Sequence, residues 1–84
     1  MVEQQVHAVV FHDPQTDRWV GVCLEYDVVT QGATRDQAFE HVQEAVELTI
    51  AGMSPDDLDD AFQPLDGEPE IRKITIRAPT LLNA

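Results

Sequence analysis

The residues able to do chemistry in this 84-residue chain are sixteen carboxylates, three histidines and a single cysteine. Hydrolysis assisted by two metal ions needs several carboxylates converging on one point. The carboxylates here are not spaced for it. The stretch from Val6 to Val10 holds no acid, Asp13 falls in a turn, and Glu25 and Asp27 come at the end of an apolar run. His7, His12 and His41 do not show the four-residue helical spacing of a histidine metal pair. They read as surface or partner-edge groups. No serine or cysteine nucleophile can be placed beside a base. Cys23 alone excludes an internal disulfide and a cysteine zinc cluster, and its place in an apolar alternation makes it a small core or interface residue. Neither an enzymatic activity nor a metal or cofactor is expected.

Charge carries more information than any motif. Sixteen acids against five bases leave a net charge of -11. Such a surface repels phosphates, so nucleic acid and anionic membranes are poor partners. A basic protein is the natural one, because opposite potentials speed encounter and orient it. The same acidity also serves solubility. Asp56, Asp57, Asp59, Asp60, Asp66, Glu68 and Glu70 form an acidic run without a base, which reads first as a solvated loop.

The elements that would position these groups belong to one small domain spanning residues 1–84. A chain of this length buries only about two-thirds of its surface, so self-association into a homodimer is a reasonable expectation. The N-terminus has neither a basic region nor an apolar stretch, and no apolar run is long enough to span a membrane. A reduced, cytoplasmic setting is expected.

Gln4 to His12 is rich in β-branched residues and reads as a first strand. Asp13-Pro14-Gln15-Thr16-Asp17 is turn chemistry, and Arg18 to Tyr26 alternates as a second strand paired to the first. Val28 to Thr30 gives a short third strand closed by Gly32. Thr34 with Gln37 three residues on has capping-box spacing, so a helix is expected from about Arg35 to Ala51. Its apolar stripe is Ala38, Phe39, Val42, Ala45, Val46, Thr49 and Ile50, with Asp36, Glu40, Glu44 and Glu47 off it. Ser54-Pro55 begins a further short helix within the acidic loop of residues 53–69. Glu70 to Arg77 reads as the last strand, stopped by Pro79, with Leu81 and Leu82 as an apolar tail.

The expected fold is α+β: a three-stranded antiparallel meander, one amphipathic helix and a fourth strand beside the first. One helix covers one sheet face. With Val20, Val22 and Leu24 turned inward, the open face carries Trp19 and Cys23, with Val9 and Phe11 as further members. An apolar open face on a small protein asks for a partner. The residues chosen for partner contact are Trp19, Glu25 and Asp27.

The segment from Trp19 to Thr34, WVGVCLEYDVVTQGAT, resembles the HicB-like antitoxin signature of an aromatic strand, a valine-rich turn and a Thr-x-Gly-x-Thr motif. The likeness continues into the helix as Asp36-Gln37-Ala38 and Glu44 to Leu48, covers Val6 to Ile50, and extends more loosely to Ile71–Arg77. It implies a partial RNase H-like fold and an antitoxin role in a type II toxin–antitoxin system. The partner it implies is a small basic RNA-cleaving toxin with a double-stranded-RNA-binding-like fold, whose active site the antitoxin blocks. Many members carry a C-terminal helix-turn-helix or ribbon-helix-helix module. This chain ends at Ala84, just after the last expected strand, so operator binding is not expected of it alone. The competing expectations are a stand-alone acidic inhibitor of another nucleic-acid-binding protein, as in phage anti-defence, and a metal-dependent nuclease.

Overall fold

The computed structural model describes residues 4–77. Three strands, β1 (Ala8–Asp13), β2 (Arg18–Cys23) and β3 (Val28–Gly32), form an antiparallel meander in the order β1-β2-β3. Helix α1 (Arg35–Ile50) follows and touches all three strands. A short helix α2 (Pro55–Ala61) comes next. The fold is α+β.

Local chemistry explains the connections. Between β1 and β2 the Asp17 N–H donates to the Asp13 carbonyl at 2.9 Å, and Asp17 turns the chain at φ 57°. Asp27 does the same between β2 and β3 at φ 53°. Aspartate tolerates this left-handed region better than most residues. The Thr34 hydroxyl accepts from Gln37 N–H at 3.1 Å, while the Gln37 amide oxygen accepts from Ala33 N–H at 2.6 Å. That reciprocal cap starts α1. Ser54 caps α2 in the same way, accepting from Asp57 N–H at 3.2 Å.

Helix α1 lies directly on the backbone of the sheet. A Cβ at Gly32 would meet the Ala38 nitrogen at 2.6 Å, and one at Gly21 would strike the Val42 side chain and come to 3.0 Å from the Ala38 carbonyl oxygen. Two glycines on the sheet and an alanine on the helix permit the approach. The core then fills the other end of the contact: Cys23, Tyr26, Val42 and Val46 are buried, flanked by Val6, Ala8, Val28, Ile50, Ala61 and Phe62. The Tyr26 and Phe62 rings stand 5.4 Å apart, so the end of α2 closes this core.

The pairing corrects the expected sidedness of β2. Residues opposite one another in an antiparallel pair share a face. Ala8, Cys23 and Val28 form one such row on the helix side; Val10, Gly21 and Thr30 form another, as do His12, Trp19 and Gly32. Trp19 and Cys23 therefore face α1, and Val20 and Val22 face away with Val9 and Phe11. The close approach at Gly21 decides this, because a valine there would collide with α1. Along the helix, Phe39 is not part of the buried stripe and lies 44% exposed.

Residues 70–77, expected as a strand beside the first, form no strand of the sheet here. They are exposed throughout, with Ile71, Ile74 and Ile76 at 83%, 76% and 66%. Local β preference does not make a strand without a paired neighbour. Among the described residues β1 is a free edge. Leu81 and Leu82 lie outside the described residues. No helix among the described residues is long and apolar enough to cross a membrane.

Adding a methyl where helix and sheet backbones meet should force the two apart. Gly32→Ala is expected to cost about 1–3 kcal/mol of unfolding free energy, against about 1 kcal/mol for the cap variant Thr34→Ala. Urea denaturation followed by circular dichroism measures both. A Gly32→Ala variant as stable as the parent would contradict the direct backbone contact.

Candidate partner-binding surface

The three residues chosen from the sequence are not brought together. Trp19 and Cys23 bracket four strand steps, about 13 Å at 3.3 Å per residue, and Glu25 and Asp27 lie beyond Cys23. Trp19 is half-buried on the helix side, above the start of α1, in a shallow groove with Ala33, Thr34, Arg35 and Asp36. Its ring stands 5.2 Å from that of His12, tilted by 55°. Asp27 is exposed at its turn.

Glu25 is not available as a surface contact. It is 3% exposed and committed internally. One carboxylate oxygen accepts from His7 N–H at 2.8 Å and the other from His7 Nδ1 at 2.6 Å. The opposite ring nitrogen, Nε2, meets Glu68 at 3.0 Å. Acceptors on both ring nitrogens require a hydrogen on each, which is the charged imidazolium. The Glu25 carbonyl also accepts from Gln63 N–H at 2.8 Å. A single buried residue thus ties the lead-in to β1 and the chain after α2 to the end of β2.

The electrostatics follow the geometry. The hydrogen bond that the His7 ring donates to Glu25, opposed by partial burial and reinforced by Glu68, holds His7 above its ordinary 6.5. Burial pushes Glu25 upward, but hydrogen bonds from the His7 backbone and ring outweigh it, so Glu25 falls below its ordinary 4.5.

Two surfaces of different character remain. Along α1, Asp36, Glu40, Glu44 and Glu47 are exposed, and among the described residues the one ion pair that they form is that of Asp36 with Arg35 at 3.9 Å. Asp36, Glu40 and Glu44 repeat at four-residue steps, a repulsive spacing on a helix. No basic residue occupies the last turn. The acids of α2 and of the loop after it are exposed too.

The face of the sheet away from α1 is the opposite in kind. Val9, Val22 and Val29 form one row across it, and Phe11, Val20 and Gln31 the next. Phe11 is 49% exposed and Val29 64%. At one end Asp13 opposes Arg18, whose guanidinium donates to the Gln31 amide oxygen at 3.2 Å. Among the described residues no element packs on this face, and no group of three potential metal ligands comes together anywhere.

Two outcomes follow. The His7–Glu25 pair contributes its full stability between pH 4.5 and 6.5. The contribution falls at lower pH as Glu25 is protonated through its lowered pKa, and at higher pH as His7 loses its proton through its raised one. Urea midpoints against pH should show a plateau, and His7→Gln should remove the decline on the alkaline side; an unchanged alkaline limb would show that the bridge contributes nothing. Added salt should raise the thermal midpoint, because screening relieves repulsion among unpaired acids. A midpoint that drops from low salt to about 1 M would contradict this. Comparison of the chain with protein-family models, with curated proteins and with solved structures finds no match.

Proposed function

We propose that this chain is a cytoplasmic, non-enzymatic binding protein of the HicB-like antitoxin kind, which takes up a small basic RNA-cleaving toxin and blocks it. The observation that carries the reading is the net charge of -11, presented by exposed acids on α1, on α2 and in the loop that follows. A basic ribonuclease binds RNA through its cations, and an acidic surface competes for the same groups. The order of three antiparallel strands and a helix is consistent with the resemblance carried by Trp19 to Thr34.

The reading includes a fourth strand. Glu68 is held against His7, immediately before β1, so the segment that follows starts at the entry to the free edge of that strand. Ile71–Arg77 then has the length to run parallel along Ala8–Asp13. Its Arg72, Lys73 and Arg77 are three of the five bases in the chain, and they would come to rest against an acidic body.

Co-expression with a small basic ribonuclease encoded beside this chain tests the reading. A stable complex and loss of RNA cleavage are expected, with Glu40→Lys and Glu44→Lys together slowing association at least tenfold at low salt. Cleavage that persists under excess of this chain would overturn the antitoxin role. Capture of a large nucleic-acid-binding assembly instead would favour the stand-alone inhibitor. The fourth strand is checked separately by slowed amide exchange at Ile74 to Ile76, and unprotected amides in the complex would remove it.

A further inference from the structure

We propose that the proton on Nε2 of His7 latches the chain after α2 to the lead-in of β1, and that its loss frees residues 64–77 while the rest of the domain stays folded. The ring is clamped between two carboxylates, with Nδ1 2.6 Å from Glu25 and Nε2 3.0 Å from Glu68. Gln63 is still tied to the domain, through its N–H and the Glu25 carbonyl. Beyond it, among the described residues, the Glu68 contact is the one hydrogen bond that joins residues 64–77 to the rest. The bond between Arg72 and Glu70 is local. Residues 63–77 are exposed throughout, and the turn at Gly67, φ 90°, has open space around it. No buried side chain holds the segment once the Glu68 contact goes.

The two carboxylates are unequal, and that decides which contact breaks. Glu25 is buried, whereas the Glu68 side chain is 88% exposed. Neutral imidazole carries a single N–H. A buried carboxylate that loses its partner is stranded, while water replaces the ring at an exposed one. The hydrogen therefore stays on Nδ1, facing Glu25, and Nε2 turns a lone pair toward the Glu68 oxygen. Two acceptors then face each other, and the loop lets go. Glu25 from the β2–β3 turn and Glu68 from the loop after α2 are the charged groups that meet the ring among the described residues; α1 and α2 bring none to it. Both favour the imidazolium, so the latch is closed below the raised pKa of His7 and opens as pH climbs through it. The device needs neither a basic partner nor a fourth strand. It decides whether the segment carrying Arg72, Lys73 and Arg77 is held at the start of β1 or leaves that edge open.

Carbon-detected backbone relaxation of the full chain, measured by nuclear magnetic resonance from about pH 5.5 to about pH 9, tests the latch. Residues 68–77 should gain motion with the same midpoint as the His7 ring, while the strands and α1 keep theirs. An exposed ion pair is worth a modest factor, so the ratio of held to free segment should fall about two- to fivefold. Above the midpoint the ring nitrogen shifts should report hydrogen on Nδ1. Glu68→Gln should abolish the step, because an amide can accept from Nε2–H or donate to bare Nε2. By linkage it should also lower the midpoint of His7. His12→Gln and His41→Gln should leave the step in place. His7→Gln should abolish it too; should that variant fail to fold, Glu68→Gln, at an exposed position, carries the test. A segment whose motion ignores the His7 titration would overturn the proposal. So would a step that survives Glu68→Gln, hydrogen on Nε2 at high pH, or loss of order in the strands together with the loop. None of these outcomes bears on the binding of a basic protein, which co-expression tests separately.

Discussion

The fold depends on a helix resting on bare backbone. At Gly21 and Gly32 there is no side chain between α1 and the sheet, and Ala38 is small enough to close the gap. Everything about sidedness follows. Because Gly21 must face the helix, Trp19 and Cys23 face it too, and the valines at 20 and 22 are turned outward. Two valines of the central strand thus point away from the helix packed on it, although apolar area is normally placed where it leaves water. Here the helix side is filled instead by close approach at one end and by Cys23, Tyr26, Val42 and Val46 at the other.

The second constraint is a buried charge. A carboxylate taken out of water is costly unless it is paired and hydrogen-bonded. Glu25 meets that condition through one residue, His7, which supplies both a backbone N–H and a ring N–H. Removing either partner would strand the other, so this network specifies the position of the β1 lead-in more than it adds net stability. It also reaches Glu68 and, through the Glu25 carbonyl, Gln63. The chain beyond α2 is thereby anchored beside β1 although it contributes few buried side chains.

Much of the local structure was legible in the sequence and much of the tertiary structure was not. The aspartate turns, the Thr34–Gln37 cap and the Ser54-Pro55 start are signals confined to a few residues, and each is found where its chemistry places it. Strand sidedness is different. The alternation of Val20, Val22 and Leu24 has a period but no sign, and the larger residues suggested the wrong one. The informative residue was Gly21, since glycine inside a strand marks close approach of another backbone. Glu25 was misplaced for a related reason. Its partner lies 18 residues away, and nothing local separates an interior glutamate from a surface one. Tyr26, which is buried and donates to Gln4 at 2.5 Å, was missed in the same way. Residues 70–77 show the limit most plainly, because pairing is a property of two segments and only one of them is written in that stretch.

The distribution of acids has a consequence for how this small domain can bind at all. A chain of -11 that placed its carboxylates evenly would meet any second copy, and any acidic neighbour, with the same repulsion on every side. Segregation changes that. The acids of α1 sit on the far side of the helix because its near side is occupied by Ala38, Val42 and Val46. The bare face of the sheet stays charge-poor because its positions alternate with those that pack on the helix. The periods of a helix and a strand, 3.6 and 2, are thus enough to divide a uniformly acidic composition into one surface that attracts cations and another that excludes water. Affinity for a basic protein and affinity for an apolar surface then respond to salt in opposite directions, on two sides of a single layer of sheet.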